Sequence, residues 1–178
     1  MDPPLSDAGL LQARRLTSAL RAAPLRAVYS SPLRRAVQTA QAVAGAHRLE
    51  VSVVPVLREI SFGVWEGLTN EELEERFGDL LRTFWTAPAE ARIPGGEMLA
   101  DAQARVMAAL ISVVERHPDE TAAIVGHGGI NKIALLNLLG APLSSYWRIR
   151  QDNACVNLVE VDGSRAIVHV LNETAHLK

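Results

Sequence analysis

Twice along this chain a short apolar run passes straight into a helix-forming segment, and that repetition constrains the fold more than any other feature. Residues 26–30 form a short strand ending at Ser31-Pro32, after which Leu33, Ala36, Val37, Ala40 and Val43-Ala44 share one helical face. Residues 121–125 form a continuous apolar strand ending at His127-Gly128-Gly129, and residues 130–139 follow as a mostly apolar helix closed by Gly140. Before the first unit, Leu10, Ala13, Leu16, Leu20 and Ala23 recur at helical spacing until Pro24 stops them. Between the units lie a strand at 51–56, a loop at 57–67 and polar helical sequence around 71–76. A helix at about 97–116 follows, with Ala104, Met107, Ala108, Ile111 and Val114 on one face. Runs at 154–161 and 166–171, split by Asp162-Gly163, predict a terminal β-hairpin. This alternation predicts an α/β fold in three α/β/α layers, with a largely parallel sheet and helices on both faces. Ligands in such folds gather beyond the carboxyl ends of the strands, where Ser30 and His127 fall.

Composition narrows the partners. A chain of 178 residues with 48% hydrophobic content and no linker or repeat reads as one domain over 1–178. Its net charge of −2 excludes a broad polyanion-binding surface, so neither nucleic acid nor membrane is the expected partner and any anion site must be local. Cys155 is the only cysteine, which excludes an internal disulfide and predicts a small buried residue in a reducing compartment. Asp2-Pro3-Pro4 begins neither an export signal nor a membrane segment, and the expected location is the cytoplasm.

Three local patterns carry chemistry. Arg34 and Arg35 stand in the first turn of a helix, where the dipole already concentrates positive charge, and an anion such as phosphate would offset them. Helical geometry turns the two apart by about 100°, and spacing alone does not choose between them. His127 lies between a strand and a helix start, flanked by glycines that let a ligand approach the backbone. In the loop Leu57-Arg58-Glu59-Ile60-Ser61-Phe62-Gly63-Val64-Trp65-Glu66-Gly67, two carboxylates sit among aromatics; a carboxyl held there could protonate a departing alkoxide. Each pattern has a plainer explanation: solvated arginines, a histidine closing a strand, or carboxylates paired with arginines such as Arg58. The other histidines, His47, His117, His169 and His176, show no metal-ligand spacing, so no metal is expected. Neither GxxxxGK[ST] nor GxGxxG occurs.

In order, Ser30-Ser31-Pro32-Leu33-Arg34-Arg35-Ala36, Leu57-Arg58-Glu59 with Gly63-Val64-Trp65-Glu66-Gly67, Pro94-Gly95-Gly96-Glu97 and Val125-Gly126-His127-Gly128-Gly129 closely resemble the histidine phosphatase superfamily, the phosphoglycerate-mutase-like enzymes. Asp2-Pro3-Pro4-Leu5-Ser6-Asp7-Ala8-Gly9 resembles the segment that follows the family's first catalytic loop, so the likeness spans nearly the whole chain. The resemblance implies a metal-independent, cofactor-free phosphomonoesterase acting on a small phosphorylated metabolite through a phosphohistidine. It implies that Arg35 and Gly128 bind the phosphoryl group, that Glu59 donates the proton, and that His127 is the second histidine of the pocket.

The family's attacking histidine lies in an Arg-His-Gly motif at the end of a first strand, and no such motif occurs in these residues. The expectation is therefore a domain lacking its first, central strand, with the nucleophile upstream of Met1 and the missing strand between those ending at Ser30 and near His127. Smaller departures are Lys132 where an arginine is common and Met98 where a serine often stands. A phosphate-binding pseudoenzyme, a mutase-type phosphotransferase and, more remotely, a serine hydrolase using Ser30 or Ser31 remain as alternatives, and a homodimer is an allowed assembly. Residues 70–93, with Phe77, Phe84 and Trp85, are expected to cover the pocket.

Overall fold

Leu25–Ser30 (β1) forms the middle of a parallel sheet of order β2-β1-β3, between Val51–Val53 (β2) and Thr121–Val125 (β3). This computed structural model describes residues 2–163 and 165–178. Helices Asp7–Leu20 (α1) and Arg34–His47 (α2) pack together, and α2 lies against all three strands. Asn70–Thr86 (α3), Leu99–Arg116 (α4) and Gly128–Leu138 (α5) complete the helices, and Val156–Asp162 (β4) pairs antiparallel with Arg165–Glu173 (β5) in a second sheet.

Alternation along β1 explains the layering. Val28 points into a small cluster with Ala40 and Ala44 of α2, while its neighbour Tyr29 joins the large core with Leu57, Trp65, Phe84, Val106, Ile130 and Ile133. Small residues at Ala36, Ala40 and Ala44 let α2 approach the sheet closely, and Ala40 is completely buried. The predicted parallel sheet between helix layers is thus present, and the terminal hairpin falls where Asp162-Gly163 placed it.

Several expectations need correction. The strands ending at Ser30 and near His127 are direct neighbours, with Val28 opposite Ala123, Tyr29 opposite Ile124 and Ser30 opposite Val125, so no strand lies between them. Backbone bonds alone close that interval; among the described residues no strand pairs with the other edge of β3. The strand expected at 51–56 stops at Val53, because Pro55 has no N–H to give a ladder and instead opens a single 3₁₀ turn, Pro55–Leu57. Helix α4 buries Leu99, Ala102, Val106, Ala109 and Val113, whereas the expected inward residues Ile111 and Val114 are exposed. Both stripes are apolar, and packing rather than periodicity selected between them. Cys155 is half-buried and donates to Gln151.

Candidate active site

The site grows from the ends of β1 and β3. Ser30 and Ser31 are fully buried where β1 ends, and the Ser31 amide donates to the Val125 carbonyl at 2.9 Å, carrying the ladder one step past the strands. The Ser31 hydroxyl accepts the Leu33 amide at 3.3 Å and lies 2.7 Å from His127 Nε2. One serine therefore ties the start of α2 to the imidazole before α5. Burial, reinforced by the Arg35 guanidinium and opposed by Asp2, pushes the His127 pKa down to about 4, so the ring is neutral at pH 7. Its Nδ1 makes no hydrogen bond among the described residues and is not sealed from solvent.

Arg34 and Arg35 separate as helical geometry requires. Arg34 is exposed, while Arg35 is half-buried and close enough to His127 to disfavour its protonated form. Helix α2 has no side-chain N-cap of its own; the Asp2 carboxylate accepts the Arg34 amide at 2.7 Å. A carboxylate of this chain thus stands at the helix end where the two arginines called for an anion.

Glu59 lies across the start of α5. Its carboxylate accepts the amides of Gly129 at 3.0 Å, Ile130 at 3.0 Å and its own neighbour Ile60 at 2.9 Å. These bonds satisfy amides that a helix leaves unpaired in its first turn, and α5 has no side-chain cap of its own. The approach requires a glycine at 129, where a Cβ would come within 2.6 Å of Glu59 Oε1, 2.8 Å of Ile60 Cδ1 and 3.0 Å of the Tyr146 hydroxyl. Gly128 has ordinary room for a side chain; it is exposed, at the first position of α5.

Backbone contacts join the remaining motifs. Gly63 has φ of +51°, and a Cβ there would meet the Pro94 carbonyl at 2.3 Å and the Gly96 amide at 2.4 Å. Val64 donates to Pro94 and Glu97 donates to Ser61, so the 59–67 loop and the Pro94-Gly95-Gly96 turn form one unit. Glu97 then holds Arg105 by a two-pronged ion pair of 2.6 and 2.7 Å. The same guanidinium reaches the carbonyls of Val56, Arg58 and Glu59, clamping the backbone that carries the Glu59 carboxylate. Glu66 accepts from Ser61 and Phe62 within its own loop.

Of the residues anticipated from sequence, Arg35 and His127 come together, and Glu59, Gly128 and His127 meet at the start of α5. Phe84 is a core residue stacked among Trp65, Tyr146 and Trp147 rather than a pocket lining, while Trp85 is 54% exposed on Trp147. Sequence reasoning missed Arg105, whose signal was a lone cation bordering an apolar helix stripe, and it missed Tyr146 and Trp147, which lie on a 3₁₀ segment, Leu143–Arg148. Among the described residues no three His, Cys, Asp or Glu side chains are grouped to hold a metal ion, and no helix is long and apolar enough to cross a membrane.

The paired serine and histidine resemble a nucleophile and its base. Ser31 is 0% exposed, however, and its hydroxyl is engaged by the Leu33 amide, so no substrate carbonyl reaches it.

Known proteins resemble this chain along nearly its whole length. Phosphoserine phosphatase 1 of Hydrogenobacter thermophilus is 35% identical over 99% of this chain and 84% of its own length. The structure of YhfR from Bacillus stearothermophilus superposes with a TM-score of 0.95 at 34% identity, covering 99% of this chain and 88% of that one. The mycobacterial glucosyl-3-phosphoglycerate phosphatase superposes with a TM-score of 0.89 at 28% identity, covering 98% and 90%. The Histidine phosphatase superfamily (branch 1) matches residues 1–174, and the chain belongs to that family.

Proposed function

We propose that the chain is a metal-independent phosphomonoesterase for a small phosphorylated metabolite, working through a phosphohistidine. The observation that carries this reading is the convergence of Arg35, neutral His127 and Glu59 where β1 and β3 end and α2 and α5 begin. The names of the related phosphatases support the same class of substrate.

Each group has a task that follows from its surroundings. Arg35 offers a planar fork of donors to two phosphoryl oxygens. Ser31 accepts the Leu33 amide and, in the tautomer this function requires, gives its own proton to His127 Nε2, so that Nδ1–H donates toward the substrate. The N–H of Gly128, at the helix start, adds a donor and the favourable end of the α5 dipole. These donors are fixed before the substrate arrives, which is the condition for stabilising charge that develops on phosphorus.

Attack requires a histidine of the Arg-His-Gly kind, which none of these 178 residues supplies, and we assign it to a segment outside them. As the N–P bond forms, the P–O bond to the alcohol breaks, and Glu59, having first taken up a proton from solvent, gives it to the departing oxygen. Glu59, now a carboxylate, takes a proton from water as the water attacks the phosphohistidine, releasing phosphate and restoring both groups.

Titration calorimetry in EDTA tests this reading. The 178-residue chain binds inorganic phosphate and vanadate, and Arg35→Ala weakens both at least about 10-fold. Phosphate binding that survives Arg35→Ala undiminished contradicts the site. Full turnover of p-nitrophenyl phosphate by the 178 residues alone contradicts the assignment of the nucleophile.

A further inference from the structure

Helix α4 carries two apolar stripes, and the fold of one chain buries only the first. Leu99, Ala102, Val106, Ala109 and Val113 are buried, while Ala100, Ala104, Ala108, Ile111 and Val114 face solvent. Ile111 is 54% exposed and Val114 38%. From Ala102 to Val113 the exposed residues are Ala104, Ala108 and Ile111, with no charge among them. Arg105, which borders this stretch, is drawn inward to hold Glu97 and three backbone carbonyls. Helix α3 differs: its free face exposes Glu71, Glu72, Glu74, Glu75, Arg76 and Asp79, as suits a helix bordering water. Three uncharged turns on the outside of α4 mark a surface that meets protein rather than solvent.

The exposed charges of α4 stand at its ends. Asp101 lies in the first turn and Arg116 in the last. At about 100° per residue the two come to rest only about 60° apart around the helix axis, so they share one flank of the stripe. A second α4 running antiparallel across the stripe brings each Asp101 beside the partner's Arg116, twice over, whereas a parallel one sets like charges together. Glu115 then lies beside the N-terminal end of the partner's α4, where the helix dipole favours an acid. The register that pairs Asp101 with the partner's Arg116 also sets Ile111 level with the interval between the partner's Ala104 and Ala108. A large side chain thereby meets a gap left by two small ones. One stripe supplies both the ridge and the groove, which is the self-complementarity a two-fold contact requires.

We propose that the outer face of α4 is a homodimer interface, in which α4 packs antiparallel on α4 of a second copy about a two-fold axis passing near Ala108. The occupant follows from the charges and the steric match: the stripe is complementary to itself in one direction and one register.

Sedimentation velocity of the 178-residue chain, over a concentration series reaching high micromolar protein, reads the assembly. A reversible dimer is expected. Ile111→Asp, at an exposed position, weakens it at least about 10-fold while far-UV circular dichroism and thermal melting of the monomer stay unchanged. Asp101→Arg weakens the dimer, and adding Arg116→Asp restores most of it. Oxidative cross-linking fixes the direction. In a Cys155→Ser background Ala108→Cys forms a disulfide-linked dimer, whereas Ala100→Cys does not, because its two copies lie about 25 Å apart along the helix axis. A chain that stays monomeric throughout, a dimer indifferent to Ile111→Asp, or cross-linking of Ala100→Cys in place of Ala108→Cys overturns the proposal.

Discussion

β1 and β3 end side by side, and each is followed by a helix whose N-terminus lacks a side-chain cap of its own, yet the two helix ends are neutralised in different ways. At α2 the carboxylate comes from exposed Asp2 and makes a single bond, to the Arg34 amide. At α5 it comes from Glu59, which takes two helix amides and is held from behind by the Arg105 clamp. The first anion is exchangeable and the second is built in. Under the proposed function, an incoming phosphate competes with Asp2 beside Arg35, whereas Glu59 stays in place to act on the leaving oxygen.

Substitutions at five positions, one of them read as a pH profile, can break or sharpen this contrast. Gly63→Ala should be the most damaging, at about 4 kcal/mol from positive-φ strain plus collision with backbone that has no side chain to move aside. Urea unfolding reads it, and a loss below 1 kcal/mol would show that the two loops are not locked together. Arg105→Ala follows at about 3 kcal/mol, since it strands a largely buried Glu97 and frees three carbonyls. Its diagnostic companion is Arg105→Lys, which should keep the charge and still lose the two-pronged geometry.

Glu59→Gln should cost about 2 kcal/mol, because an amide group turned toward the Gly129 and Ile130 N–H groups cannot accept from both. His127 adds a dependence on pH. An unfolded histidine takes a proton near pH 6.5, whereas this one resists until about 4, so the unfolded chain binds more protons between those values. Stability contributed by the neutral ring is complete above 6.5, declines as the pH falls through that window, and is gone below about 4. Stability measured at pH 7, 5.5 and 4.5 should fall more steeply in the unaltered chain than in His127→Gln, which lacks the titrating ring; equal falls would contradict the shift. Asp2→Ala is the mildest change, at about 0.5 kcal/mol, as suits one exposed carboxylate at a helix end. If Asp2→Ala proves as costly as Glu59→Gln, the two helix ends are equivalent and the contrast fails.

The strand-to-helix junctions were legible because each is a local pattern: an apolar run, a turn signal, and a helix face. The same is true of the hairpin around Asp162-Gly163. Neighbour relations were not legible. The direct pairing of β1 with β3 depends on contacts between residues about a hundred positions apart, and nothing in either strand announces its partner. The inward face of α4 was misread because both of its stripes are apolar, so only the shape of the core decides between Ile111 and Val113. Within the site, Arg35, Glu59 and His127 were visible as charges or rings in places where they are unusual. Arg105 was not, because its role consists of bonds to carbonyl groups that every residue possesses. Lys132 was noticed as a departure from a familiar pattern, but the placement of its ammonium over the Tyr146 and Trp147 rings exists only in three dimensions.

The central claim is that one phosphate touches Arg35 and His127 together. Histidine-ring NMR during a titration with inorganic phosphate at constant pH addresses it directly. The account predicts a saturable shift of the His127 ring signals, with His47, His117, His169 and His176 unmoved, and predicts that Arg35→Ala abolishes the shift. An unmoved His127 at saturating phosphate, or a shift that persists in Arg35→Ala, would contradict it.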